Sequence, residues 1–344
     1  MGAEQDLLRT DHYIEGRVVV RLSCKVCPVR YQCLTDNLNK KKRDNMALPD
    51  LERGTVKANG LEFHYLAAGS GPLALCYHGF PDSPWSYRYL LPELAKAGYR
   101  AVAPFIRGFG PTEAPPDRRH IHTSLMAADQ NRLHEALGGD ENAVLIAHDW
   151  GACGAYGAAG REPERWKKCV IMNIPPFQVF GKNLFSYAQI KKSFYFWFFQ
   201  MQEVSADVVS ANNFEFIDNI WADWSPGYDA SEDLPLVKEC LRDPAHFNTA
   251  MGYYWGQFDP VRFGSPVWSE EQAAAWGYSL TQPTLYLHGT NDGCHGLDAQ
   301  QVQSVLDYVG PGSEAELFKG VGHFMLVERP AEINARIMGF LAKG

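Results

Sequence analysis

The sequence predicts an α/β architecture: a mostly parallel sheet with helices on both faces and one inserted helical segment. Three observations predict it. Short apolar runs alternate with helical stretches from about residue 55 to the end. The alternation breaks only between about residues 176 and 270. A tight strand-to-helix bend is written at Ala147–Gly151, in residues small enough to permit it.

The elements follow in order. Thr55–Val56–Lys57, the Asn59–Gly60 turn and Leu61–Tyr65 read as a β-hairpin. Leu73–Tyr77 is a short apolar run, the pattern of a strand buried on both faces. Tyr87–Ala97 reads as an amphipathic helix, and Arg100–Pro104 as the next strand. Ser124 is placed to cap a helix running towards Leu137. Ala143–Ala147 is a strand, Gly151–Gly160 a small-residue helix, and Lys168–Asn173 a further strand. Thr284–His288 and Ala315–Phe318 are the last strands. Pro330–Ala342 is a closing helix with proline in its first turn.

This gives three regions. Residues 1–48 are a polar extension, expected to be disordered or an artefact of the assigned start, since Met46 could be the true first residue. Residues 49–175 and 271–344 form the α/β core. Residues 176–270, rich in aromatics such as Phe194–Phe199, form a helical cap over the carboxyl edge of the sheet, where open α/β sheets bind ligands. The chain has 344 residues and is 46% hydrophobic, enough for one large core plus such an insertion. Its net charge of −8, from 40 acidic and 32 basic side chains, argues against a nucleic-acid partner. It contains no apolar run of about 18 residues, so no membrane span is expected. Glu4, Asp6, Arg9 and Asp11 exclude a secretory signal at the start of the chain, and a cytoplasmic location is the expectation.

The chemistry begins at Ala147-His148-Asp149-Trp150-Gly151. Small residues flank a central one between strand and helix, which is the nucleophile elbow of the α/β-hydrolase fold. The central residue is Asp149 where a serine is usual. A hydroxyl needs a base before it can attack, whereas a carboxylate can attack an sp³ carbon directly. The helix N-terminus favours its charge. The product is an ester whose carbonyl belongs to Asp149, and a second step must hydrolyse it. Asp before a helix is otherwise an ordinary N-cap, so the partners decide. His323, in Gly322-His323-Phe324 after the last strand, is the expected base. Asp292, after Thr284–His288, is the expected acid that orients it. The order Asp149, Asp292, His323 is that of the fold. Asn173, after an earlier strand, has no carboxylate to offer and so favours Asp292. The backbone N–H groups of Phe80 and Trp150 would form an oxyanion hole, each donor being worth roughly 3 kcal/mol.

His78-Gly79-Phe80-Pro81, Trp85-Ser86-Tyr87-Arg88, Arg107-Gly108-Phe109-Gly110 and His148-Asp149-Trp150-Gly151 together resemble the α/β-hydrolase-fold epoxide hydrolases, over about residues 50–344. The resemblance implies hydrolysis of epoxides to vicinal diols with no cofactor, small apolar epoxide and water being the reactants. It implies a cis Phe80–Pro81 bond and two cap tyrosines that hold the epoxide oxygen. Tyr195, five residues before Gln200, matches the first. Tyr254 matches the second, with Tyr253 as its alternative. His78, Pro81, Trp197, Tyr253 and Phe324 are the expected pocket walls. Two positions depart from the family pattern: Phe105-Ile106 replace an aspartate before Arg107, and Trp255 replaces an arginine.

Cys24, Cys27 and Cys33 have a C-x₂-C-x₅-C spacing that resembles part of the iron–sulfur motif of WhiB-type regulators. A four-cysteine site lacks its fourth ligand, since residues 1–23 contain no cysteine, so the expectation is no metal. Cys76, Cys153, Cys169, Cys240 and Cys294 read as reduced core thiols. Two other functions compete. A haloalkane dehalogenase would use the same three residues but needs a second halide donor beside Trp150, and Phe80 has no side-chain N–H. A non-catalytic scaffold with an N-terminal metal module would show iron or zinc on metal analysis. An ordinary esterase is disfavoured, because aspartate attack on an ester gives an anhydride.

Overall fold

The computed structural model describes residues 8–14, 17–23, 49–115 and 121–343. The chain divides into two units, Met1–Leu48 and Pro49–Gly344. In the first, β1 (Leu8–Ile14) and β2 (Arg17–Ser23) pair antiparallel, Leu8 opposite Ser23. The sequence reading assigned no element here; the β-branched run Val18-Val19-Val20 supplies the strand propensity. Cys24, Cys27, Cys33 and Met46 lie outside the described residues.

The second unit is built on an eight-stranded sheet in the order β10-β9-β8-β7-β5-β6-β4-β3. Its strands are β3 (Glu52–Ala58), β4 (Leu61–Ala68), β5 (Leu73–Tyr77), β6 (Arg100–Pro104), β7 (Val144–His148), β8 (Lys168–Met172), β9 (Thr284–Gly289) and β10 (Glu314–Phe318). The β3–β4 hairpin is antiparallel and so is its junction with β6; the other pairs are parallel. Every residue of β5, β7, β8 and β9 is buried, which is why Leu73–Tyr77 and Val144–Ala147 read as unbroken apolar runs rather than alternating ones. Parallel strands all end at one edge. The loops after β5, β7, β8, β9 and β10 therefore emerge side by side.

Two local readings are corrected. The cap of helix Thr123–Ala136 is His122, not Ser124: the His122 imidazole accepts from the Ser124 N–H at 3.2 Å. A ring nitrogen there does the work of a hydroxyl. The segment expected as one helix over Tyr87–Ala97 is a 3₁₀ turn, Pro84–Tyr87, followed by helix Leu90–Lys96.

Helices from Phe177 to Trp276 intervene between β8 and β9. The longest, Gln202–Trp224, is interrupted at Ala211–Phe214, where Asn212, Asn213 and Phe214 take left-handed backbone. Among the described residues no helix is long and apolar enough to cross a membrane.

Two buried ion pairs fix the loops. Arg107 binds Asp129 through two nitrogens, at 2.8 and 2.5 Å, and also donates to the Asn59 carbonyl. Arg88 reaches Asp233 of the inserted segment at 2.6 Å. Two motif arginines of the sequence thus serve as loop anchors, bonded at a distance from the elbow. Bidentate geometry makes such pairs directional as well as strong.

Candidate active site

β7 runs straight into Asp149, whose φ of 54° is rare for a residue with a side chain. The helix Trp150–Arg161 starts at once behind it, and Asp149 makes no capping hydrogen bond to that helix. The carboxylate is turned the other way: Oδ1 accepts from the Phe80 N–H at 2.7 Å. This bend requires missing side chains. A Cβ on Gly151 would lie 2.1 Å from the Tyr77 carbonyl oxygen, and one on Gly79 would lie 2.1 Å from Asp149 Oδ1. Those distances are inside any van der Waals contact, so glycine at both positions is a condition of the geometry. The Phe80–Pro81 bond that follows is cis.

The other oxygen, Oδ2, lies 3.6 Å from His323 Nε2. On its far side His323 Nδ1 is 3.1 Å from Asp292 Oδ2. Three chain-distant residues are therefore in line: carboxylate, imidazole, carboxylate. All are buried. Asp292 is itself held hard. Oδ2 accepts from Asn173 Nδ2 at 2.7 Å, and Oδ1 accepts from the backbone N–H groups of Cys294 and His295 at 2.7 and 3.0 Å. Asn173, which lacks the charge to be the acid, donates to the residue that has it.

The inserted segment ties the Asp292 and His323 loops together. The Trp224 carbonyl accepts from both the Gly293 and the His323 N–H, at 3.1 and 2.9 Å. The Ser225 hydroxyl accepts from the Phe324 N–H, and the Lys192 ammonium donates to the Asp292 carbonyl. From the core side, His148 contacts the His323 carbonyl through Nε2 at 3.0 Å. Neither Lys192 nor Trp224 carries a mark in the sequence pattern. Each acts through a backbone group or from a distant loop, which leaves no local signature.

Electrostatics follow from this arrangement. Burial alone drives the His323 pKa down, but the Asp292 carboxylate, then Asp149, reverse it and raise it to about 10. Burial drives Asp292 up, and the opposing charge of His323 with its hydrogen bonds holds it well below the usual carboxylate range. The site rests as an ion pair. The sign of the linkage is fixed by these directions. The stabilisation from His323 is complete below about pH 6.5 and is lost as pH rises towards 10; that from Asp292 is lost only in acid. Chemical unfolding should show stability falling between pH 7 and 10, by at most about 1.4 kcal/mol per pH unit from this group. His323→Gln should flatten that alkaline limb; an unchanged limb would reject the ion pair.

A narrow cavity reaches Asp149 and is lined by Tyr195, Tyr254 and Cys294, with Phe258, Trp268 and Trp276 among its aromatic walls. Tyr195 and Tyr254 come from separate helices, their rings 5.5 Å apart and edge to face. Burial, and the negative Asp149 among other neighbours, push both phenols well above their ordinary pKa, so both keep their protons. Gln200 joins the two helices by donating to the Phe196 and Tyr254 carbonyls. Trp255, the departure from the family pattern, donates to the Phe199 carbonyl at 2.8 Å and makes the same tie.

The five expected pocket walls lie outside this lining. His78 bridges the Gly79 carbonyl and the Ile106 N–H; the Pro81 carbonyl accepts from Trp221, whose indole stacks on Phe324 at 3.5 Å. Tyr253 points a helical step away from Tyr254 and donates to the Arg107 carbonyl at 2.9 Å. Trp197 packs edge-on against Phe263. Cys294, expected as a reduced core or near-core thiol, is free and buried, with its sulfur 3.3 Å from the Tyr195 hydroxyl. Its sulfur, an Asp149 oxygen and a His323 nitrogen all lie within 4.8 Å of one another.

Comparison with known proteins identifies the family and the fold. The family model described as alpha/beta hydrolase fold matches residues 72–330. Human epoxide hydrolase 4 is 30% identical over 297 residues, 83% of this chain and 77% of that protein. An epoxide hydrolase of Caballeronia sordidicola is 31% identical, covering 83% of this chain and 92% of that one. The crystal structure of Bacillus megaterium epoxide hydrolase with an inhibitor superposes with a TM-score of 0.71 at 24% identity, over 84% of this chain and 100% of that chain. That likeness is one of fold.

Proposed function

The chain belongs to the α/β-hydrolase fold family and, within it, to the epoxide hydrolases, and from that premise we propose that it opens epoxides to vicinal diols through an ester on Asp149. One observation carries the mechanism. The Asp149 carboxylate is held by the Phe80 N–H on one oxygen and faces His323 with the other, in a cavity shared with two protonated tyrosines.

In the first step Asp149 Oδ2 attacks an oxirane carbon and the C–O bond breaks. The alkoxide takes a proton from Tyr195 or Tyr254, and the His323 imidazolium returns one to the tyrosine. An alkoxide is a poor leaving group in a dry pocket, so these phenols lower the barrier directly. Ester formation removes the Asp149 charge, which had helped to hold the proton on His323. In the second step neutral His323 takes a proton from water, and the resulting hydroxide attacks Cγ. The N–H groups of Phe80 and Trp150 hold the oxyanion on Oδ1. The remaining proton of the water leaves with the diol, and the ion pair is restored. Residues 176–270 act as a cap on the core of residues 49–175 and 271–344 by supplying both tyrosines. A dehalogenase has no need of two phenols here, and Phe80 offers no side-chain N–H for a halide.

Single-turnover kinetics test the reading. Wild type should convert a terminal epoxide to its diol. Tyr195→Phe or Tyr254→Phe should slow alkylation by roughly 10- to 100-fold and leave ester hydrolysis unchanged. Absence of diol from wild type, or a defect confined to hydrolysis, would overturn it.

A further inference from the structure

His295 is left without a partner in the same cavity. It is 1% exposed, and among the described residues neither ring nitrogen has a hydrogen-bond partner. Its ring is stacked on Phe180 at 4.9 Å with only 18° between planes. Its backbone is held from two sides, the N–H by Asp292 Oδ1 and the carbonyl by His288 Nε2 at 2.9 Å. His288 is fixed in turn by the Tyr286 hydroxyl. The imidazole is thus presented rigidly, three residues beyond the acid that orients His323.

The two glutamine side chains of the cavity wall are occupied. Gln189 donates to Ser193 and the Cys294 carbonyl and accepts from the Gly296 N–H. Gln257 is paired with Gln272 and accepts from Thr123. Burial, then the neighbouring His288, lower the His295 pKa to about 3, so the ring is neutral and offers one donor and one acceptor. A buried polar group with no partner costs more than a made hydrogen bond returns. In a pocket that must admit substrate, the partner can arrive with the substrate.

We propose that His295 is the polar anchor of a substituent subsite, binding an epoxide whose chain carries a group that both donates and accepts, a carboxamide or hydroxyl, apart from the oxirane. The preferred substrates are then largely apolar epoxides with one such group. The claim deepens the epoxide hydrolase reading and rests on it for the reacting end.

The test pairs two terminal epoxides with the same alkyl chain, one ending in a carboxamide and the other in an isopropenyl group of equal shape. Wild type should favour the carboxamide in kcat/KM by roughly tenfold, one buried hydrogen bond's worth. His295→Leu should bring the ratio to near one, and His295→Gln, which keeps a donor and an acceptor, should restore part of it. Equal ratios in wild type and His295→Leu overturn the proposal. A titration of the saturated carboxamide without an oxirane, read by quenching of the cavity tryptophans, separates the two readings. Binding that depends on His295 in a protein that turns over no epoxide keeps the subsite and removes the hydrolase. Equal dissociation constants in wild type and His295→Leu remove the subsite whatever the turnover.

Discussion

Incubated with a terminal epoxide, the His323→Gln protein is expected to gain the mass of one substrate and to keep it. Ring opening needs the Asp149 carboxylate and a phenol proton, and both remain in the variant; the tyrosine then regains its proton from water instead of from His323. Hydrolysis needs a group that can take a proton from water, and glutamine cannot. General-base loss costs roughly 10² to 10⁴-fold in the step it serves, enough for the ester to accumulate. The position of His323 explains the selectivity. Among the described residues its Nε2 has no hydrogen-bond partner; it lies 3.6 Å from Asp149 Oδ2, with Nδ1 committed to Asp292. Intact-protein mass spectrometry reads the adduct, and a peptide map should put it on Asp149. The mass also identifies the chemistry. Epoxide opening adds the whole substrate, whereas halide displacement adds the substrate less one hydrogen halide. No adduct, or an adduct elsewhere, would remove the ester mechanism.

Asp149→Ala should lose turnover by roughly 10⁴-fold or more and form no adduct, as removal of a covalent nucleophile does in other two-step hydrolases. The variant should fold. Asp149 makes no capping bond to its helix, so alanine forfeits the contacts with Phe80 and His323 and leaves the tight approach of Gly151 to the Tyr77 carbonyl as it was. Unchanged melting with abolished activity is the expected pair of results. Turnover retained in this variant would mean that water attacks the epoxide directly, and the elbow would then be only a structural bend.

Sequence alone determined the scaffold and pointed to the three residues of the proposed triad, which the fold brings together. Strands buried on both faces leave unbroken apolar runs, as at Leu73–Tyr77. A bend tight enough to thrust Asp149 forward excludes side chains at Gly79 and Gly151, so it is written in small residues. Both are local constraints, satisfied by residues adjacent in the chain. Tyr195 and Tyr254 were legible only through a resemblance, because a phenol on a helix carries no periodic mark of its task.

What lines the cavity was decided by tertiary structure. Tyr253 and Tyr254 are neighbours in sequence, yet one serves the Arg107 carbonyl and the other faces Asp149, since helical rotation separates adjacent side chains by about 100°. Cys294 and His295 follow Asp292 in a loop where no strand or helix period sets direction. Their places were fixed by the Asp292 carboxylate, which draws both backbone N–H groups onto one oxygen. The Trp224 carbonyl, which joins two loops that lie far apart along the chain, is a backbone group identical in every residue. Contacts of that kind depend on where the chain returns, not on which side chain it carries.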